Sequence, residues 1–261
     1  MDGMSTEGKA YRVFKMLNTA LMILFTLNTV FLPVDNFELK ILSLLALLVV
    51  NANVILLPKT QDERIVFVFG FLLTTMNILF SVLWTKELVS NIRIGYCGYI
   101  LLLYSIIKKY KIDFARIITV VLFLLADFML LMAFLDLSGI LAFENNPILM
   151  WLYQTGNAMV GKGAHLPIYY AIFMKTSPML LLVIPYCIKS KKWIHTVICT
   201  AALVISGTRA DIFMAMLVLL LCILLCLRGR LFRNIRNRFR CDTKIPLRYI
   251  LCAWVGGTVV I

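Results

Sequence analysis

Charge is what this chain has least of. Only 15% of its 261 residues are charged and 62% are hydrophobic, where soluble domains carry about 25% charged and about 45–50% apolar residues. That balance excludes an ordinary water-soluble domain, and the mean hydropathy of +0.93 agrees. Alternation is lacking as well. The apolar runs are long and continuous, unlike the roughly ten-residue alternating segments of a membrane β-barrel. Histidine occurs only twice. All cysteines except Cys241 fall within or beside apolar runs, which excludes a disulfide framework. Cys222 and Cys226 stand four apart with no polar neighbours, as small buried hydrophobes do, and no metal or cofactor is expected. A cleavable signal is missing too. The first apolar run, 16–34, is too long for one and lacks a small-residue cleavage site, so it reads as a signal anchor. No internal repeat or low-complexity tract is present.

What is there is a series of membrane spans. About 20 apolar residues cross a bilayer, and runs of that kind lie near 16–34, 41–57, 65–84, 90–107, 117–135, 168–188, 193–208 and 211–227. A ninth begins near 249 and is cut off at Ile261. The expected fold is all-α: a polytopic transmembrane helical bundle of about eight complete spans plus a truncated ninth. It forms a single integral membrane domain over 1–261, with a loop at 136–167 on the outer face and a basic cytoplasmic segment at 228–248. With the N-terminus inside, 20 of the 26 Lys and Arg fall on inside segments. That bias fixes a multi-pass orientation with a cytoplasmic N-terminus. The net charge of +13 therefore points to membrane lipids rather than nucleic acid. The segment 228–248 fits a juxtamembrane stretch on anionic headgroups, with Leu231, Ile235 and Phe239 on one face.

The remaining basic residues, Lys40, Lys86, Arg93, Lys162, Lys175 and Arg209, fall outside these segments. Lys175 precedes a run of only 13 apolar residues, so its helix is expected to start near Ile168, sinking Lys175 about 10 Å below the outer surface. There an ammonium snorkels or faces a polar cavity. Arg93 is expected inside the outer end of its span. The stretch 156–165, with three glycines, Lys162 and His165, fits either an anion-binding backbone nest or a flexible loop. Asp127 stands mid-span, as a functional acid or as a neutral carboxyl bonded to another helix. His195, beside Trp193, reads as an anchor at the inner interface.

Between two short apolar runs lies the polar turn Ser206-Gly207-Thr208-Arg209-Ala210-Asp211. Gly207 permits a tight bend. Ser206 or Thr208 can cap the next helix, whose N-terminal amides favour an anion. Arg209 offers a planar fork for phosphate oxygens. The competing reading is a salt-bridged cap, Arg209 to Asp211 or to Asp127. The basic outer-face company of Lys175, Arg93 and Lys162 favours an anion site.

Ser206-Gly207-Thr208-Arg209, opening the apolar run after Ala210 and Asp211, resembles the Ser-x-Ser/Thr-Arg stretch of the O-antigen polymerase and O-antigen ligase family (Wzy and WaaL proteins). The match covers about residues 136–227. The resemblance implies a metal-independent membrane glycosyltransferase of the bacterial inner membrane, needing no cofactor. Its substrate would be an undecaprenyl-pyrophosphate-linked oligosaccharide, with a chain-length regulator as a further partner. A polymerase moves the growing glycan onto a lipid-linked repeat unit at the periplasmic face; a ligase moves it onto lipid A core. Family members continue through further spans and a second large loop bearing a catalytic base, so the C-terminal part of the family's domain is expected to be missing here. Arg209 would stabilise the leaving phosphate with Lys175 or Arg93, and Lys162, Ser206 and Thr208 would help bind it. Glu144, His165 or a residue beyond Ile261 would act as base. Two other classes compete. A flippase or transporter would line a path with Asp127, Arg93 and Lys175, but the inverted repeats it calls for are not seen. A membrane scaffold would use these charges as helix glue.

Overall fold

The computed structural model describes residues 6–34, 37–162 and 170–236. The chain divides into two compact units, Met1–Val218 and Leu219–Ile261. The described part of the second is helix as far as Arg236. Residues 237–248 of the basic segment and the expected ninth span lie outside the described residues.

The first unit is mostly helical. α1 (Thr6–Phe31), α2 (Phe37–Val50), α3 (Ala52–Leu56), α4 (Gln61–Phe67), α5 (Thr74–Thr85), α6 (Leu88–Tyr99) and α7 (Leu103–Tyr110) lead to the central α8 (Phe114–Leu137). After α9 (Pro147–Gln154) come strands β1 (Ala158–Lys162) and β2 (Tyr170–Met174), then α10 (Leu180–Lys189), α11 (Trp193–Ile205) and α12 (Arg209–Arg236). Among the described residues, three helical runs are long and apolar enough to cross a membrane: Ala10–Phe31, Gln61–Thr85 and Phe114–Leu137. The second joins α4 and α5 through a π-helical turn at Val68–Leu73. Only 11% of its apolar window is buried by protein at a mean hydropathy of 2.2. In water so large an apolar face would not stay bare, and lipid is the solvent that suits it.

Of the other expected spans, 211–227 lies within the unbroken α12, while three more are shorter or interrupted among the described residues. The run 41–57 breaks at Asn51 between α2 and α3, the run 90–107 passes through a 3-10 turn at Ile100–Leu102, and α11 has 13 residues. The helix expected from Ile168 is overturned. Tyr170–Met174 is a strand, paired antiparallel with β1 in the register Ala158↔Met174 to Lys162↔Tyr170. Helix resumes only through a 3-10 turn, Ser177–Met179, into α10. A five-residue apolar run fits either state by pattern. Here Ile172 and Met174 are buried while Ala171 and Phe173 are half-buried, the two-residue period of a strand.

α8 packs against α1, α10, α11 and β2, while α5 and α6 pair with each other. One apolar cluster joins Met22 and Phe25 of α1, Leu44 and Leu47 of α2, and Leu103 and Ile106 of α7. A second seats the hairpin on the end of α8 through Met132, Leu149 and Ile172. Helix direction defines two ends. The start of α1 meets the finish of α7 where Tyr11 and Tyr110 lie 5.6 Å apart, and Lys108 there reaches Glu63 at 3.2 Å. The finish of α1 meets the hairpin instead, where the Val34 amide donates to Asn157 Oδ1 at 2.9 Å.

Several polar groups inside this apolar body pair with each other or with their own helix, while the buried Asn28 side-chain nitrogen has no partner among the described residues. Thr19, Thr26 and Thr29 each donate to the carbonyl four residues back, which leaves no hydroxyl bare. Asn18 and Asn51, both fully buried, exchange hydrogen bonds at 3.2 and 2.6 Å, and Asn51 also donates to the Leu47 carbonyl. Asn51→Ala strands the Asn18 amide and is expected to cost about 1–3 kcal/mol, whereas replacing both by Leu is expected to be near neutral. Thermal unfolding in detergent separates the two; equal losses would mean that the pair does not act as a unit.

Candidate functional site at the hairpin end

The turn 206–211 is closed first by its backbone. α11 ends with the Ser206 amide donating to the Ala202 carbonyl at 3.0 Å and the Gly207 amide to Val204 at 3.1 Å. Gly207 has φ +70°, the left-handed conformation in which helices commonly stop and which glycine adopts without penalty. Thr208 then caps α12, its Oγ1 accepting from the Asp211 amide at 3.3 Å. Three residues thus reverse the chain between two apolar helices.

Asp211 locks this reversal to the rest of the unit. Its carboxylate is 94% buried, with a relative exposure of 6%. Ser206 Oγ lies 3.1 Å and Ser177 Oγ 3.4 Å from Asp211 Oδ2. Ser206 Oγ is also 2.6 Å from the Leu203 carbonyl, so its one proton serves two acceptors in turn. Ser177 belongs to the 3-10 turn after β2, and the neighbouring Thr176 Oγ1 donates to the Val30 carbonyl of α1 at 2.5 Å. On the other side, a Cβ at Gly207 would come within 2.6 Å of Ala171 Cβ in β2. The turn, the hairpin and α1 are therefore fastened together.

Lys175 is exposed in the turn after β2, its amide donating to the Asn157 carbonyl at 3.3 Å. It is not sunk in a helix as expected, because the preceding residues are strand. Arg209 is exposed at the first position of α12. In sequence, Lys175 precedes Ser177 by two residues and Arg209 precedes Asp211 by two, Ser177 and Asp211 being joined by a buried hydrogen bond. Ser206 and Asp211, by contrast, are turned inward. The hydroxyl of Ser206 braces the turn, and Asp211 takes its hydrogen bonds from Ser206 and Ser177.

The other expected residues divide. Glu144 is exposed in a 3-10 turn at Phe143–Asn145, between α8 and α9, at the same end of the unit. Arg93 lies on α6, in the half of that helix that starts from this end. Lys162 closes β1 opposite Tyr170. His165 lies outside the described residues. The nest expected at 156–165 is replaced at 158–162 by extended strand, which lacks the curled backbone a nest needs. Asp127 is exposed on α8 and makes no hydrogen bond among the described residues, so the helix–helix bond expected for it is not formed. His195 packs its ring 4.5 Å from that of Phe123 and joins α11 to α8. Sequence reasoning missed Ser177, Asn157 and Thr176. A polar residue on either side of a short apolar strand was the available signal.

No known protein family, curated protein or solved structure matches this chain.

Gly207→Ala is expected to lower the unfolding midpoint through two separable terms, about 1–2 kcal/mol for the left-handed backbone and a further steric part against Ala171. Adding Ala171→Gly should recover only the steric part. A Gly207→Ala protein that melts with the parent would show that the turn does not rest on β2.

Proposed function

We propose that the chain is a polymerase of surface polysaccharide, a glycosyltransferase of the O-antigen polymerase type working on a polyprenyl-pyrophosphate-linked glycan. In this reading the hairpin end faces the periplasm of a bacterial inner membrane. The observation that carries it is the build of one turn: Ser206, Thr208 and Asp211 hold its backbone, and Arg209 opens the following helix from an exposed position. A cation at the first turn of a long helix suits a doubly charged phosphate leaving group.

The chemistry follows from that placement. An acceptor hydroxyl attacks the anomeric carbon, the new glycosidic C–O bond forms as the carbon–phosphate oxygen bond breaks, and the electron pair departs on the pyrophosphate. Arg209, helped by Lys175 or Arg93, stabilises that growing negative charge. The hydroxyl proton passes to a base, the role proposed for Glu144, for His165, which lies outside the described residues, or for a residue beyond Ile261. Ser206 and Thr208 contribute by holding Arg209 in place. The turn does not separate a polymerase from a ligase, and the acceptor decides between them.

Arg209→Lys keeps the charge and loses the two-pronged geometry. In cells making the cognate lipid-linked repeat unit, the full-length variant is expected to reduce long-chain polysaccharide at least about 100-fold, the scale of removing one transition-state donor. Gel ladders of surface polysaccharide would show single repeat units in place of a series. A ladder like that of the parent would overturn the assignment.

A further inference from the structure

At the opposite end from the hairpin, α1 and α8 part to leave a groove of about 440 Å³. Its α1 wall is the stripe Lys15, Thr19, Ile23 and Leu27, one residue per turn. Its α8 wall runs from Arg116 through Val120 to Leu124, and Lys111 in the loop before α8 closes the mouth. The mouth is cationic and the body apolar. Thr19 does not break that pattern, because its hydroxyl donates to the Lys15 carbonyl at 2.8 Å.

The three cations are not spent on the protein. Among the described residues the side chains of Lys15, Lys111 and Arg116 make no hydrogen bond or ion pair, whereas neighbouring Lys108 is engaged by Glu63 and Thr60. The one acid at the mouth, Asp113, has its Oδ1 3.0 Å from the Arg116 amide and caps α8. Three cations against one occupied carboxylate leave a positive mouth. From Lys15 to Leu27 the groove follows α1 for about 18 Å, close to the depth of one leaflet, half of a hydrocarbon core about 30 Å thick. Ile23, Val120 and Leu124 are exposed along it.

We infer that this groove binds one anionic phospholipid, with its phosphodiester between Lys15, Lys111 and Arg116 and an acyl chain laid between α1 and α8. A free phosphate would use the mouth and leave the apolar body bare. A zwitterionic lipid would fill the body but carry its own cation to the mouth. Only a lipid with net negative charge matches both halves. The site stands apart from the hairpin end and does not depend on the glycosyltransferase reading.

The test is a titration of the full chain in neutral detergent, followed by native mass spectrometry, with phosphatidylglycerol, phosphatidylcholine and inorganic phosphate as separate probes. Phosphatidylglycerol is expected to bind at least tenfold more tightly than phosphatidylcholine. The variant Lys15→Gln/Lys111→Asn/Arg116→Gln should bring the two lipids level; Asn at 111 tolerates the left-handed backbone found there, φ 49°. Ile23→Trp/Leu124→Trp fills the groove from exposed positions while keeping every charge, and should weaken phosphatidylglycerol at least tenfold. Melting curves in detergent alone confirm that each variant is folded. Equal binding of the two lipids by the parent overturns the proposal. So does full phosphatidylglycerol binding by the filled variant, or its displacement by millimolar inorganic phosphate, either of which would mean surface charge without a groove.

Discussion

A buried carboxylate has to be hydrogen-bonded, and at the hairpin end everything follows from how Asp211 meets that demand. Its partners come from two directions, Ser206 in its own turn and Ser177 in the turn after β2. An isolated carboxylate in an apolar setting would cost far more than the few kcal/mol that separate folded from unfolded states. The arrangement that satisfies it therefore fixes the α11–α12 reversal against the hairpin. Thr176, one residue from Ser177, carries the link on to α1. Arg209, two residues before Asp211 at the start of α12, takes its position from this turn.

Much of this was legible in the residues. Glycine followed by threonine between two apolar runs announces a stop and a cap, and both stand where the pattern puts them. The alternation of long apolar runs with basic connections announced a membrane protein, and the bare face of Gln61–Thr85 agrees. What was not legible was the strand at Tyr170–Met174. Counting residues against bilayer thickness presumes that every apolar residue near a short run belongs to a helix. A hairpin satisfies its inner backbone groups across the strand pair, so it can rest on the end of α8 without that length. The same presumption misplaced Lys175, whose depth was derived from a helix that is not there. The competing reading of the turn pairs Arg209 with Asp211 or Asp127, and Asp211 takes its bonds from serines instead. Residues two apart on a helix do not face each other, and the hydroxyls of Ser177 and Ser206 were the better-placed donors.

α8 joins the two ends, and its residues explain why they differ. At one end Asp113 caps its first turn, and Arg116 and Val120 turn toward the parting from α1. In the middle Leu122, Leu125, Ala126 and Met129 are fully buried, which keeps the helix rigid where α11 and α1 press on it. At the other end Met132 packs on Leu149 and Ile172, and Asp136 Oδ1 accepts from the Phe143 amide at 3.0 Å. That last bond turns the chain into α9 and so sets the height of the hairpin.

A helix of 24 residues is about 36 Å long, so a charge at one end is beyond direct reach of a charge at the other. The two cationic regions therefore have to be read by different ligands. Short range decides what each can hold. At the hairpin end the exposed cations sit on turns with no apolar channel described beside them, which suits a headgroup presented from the membrane surface. At the opposite end the cations open directly onto an apolar groove, which suits a molecule that carries its own hydrocarbon. Asp127 lies between them on the exposed side of α8. No hydroxyl or amide among the described residues bonds to it, in contrast to Asp211, which Ser177 and Ser206 hold in place.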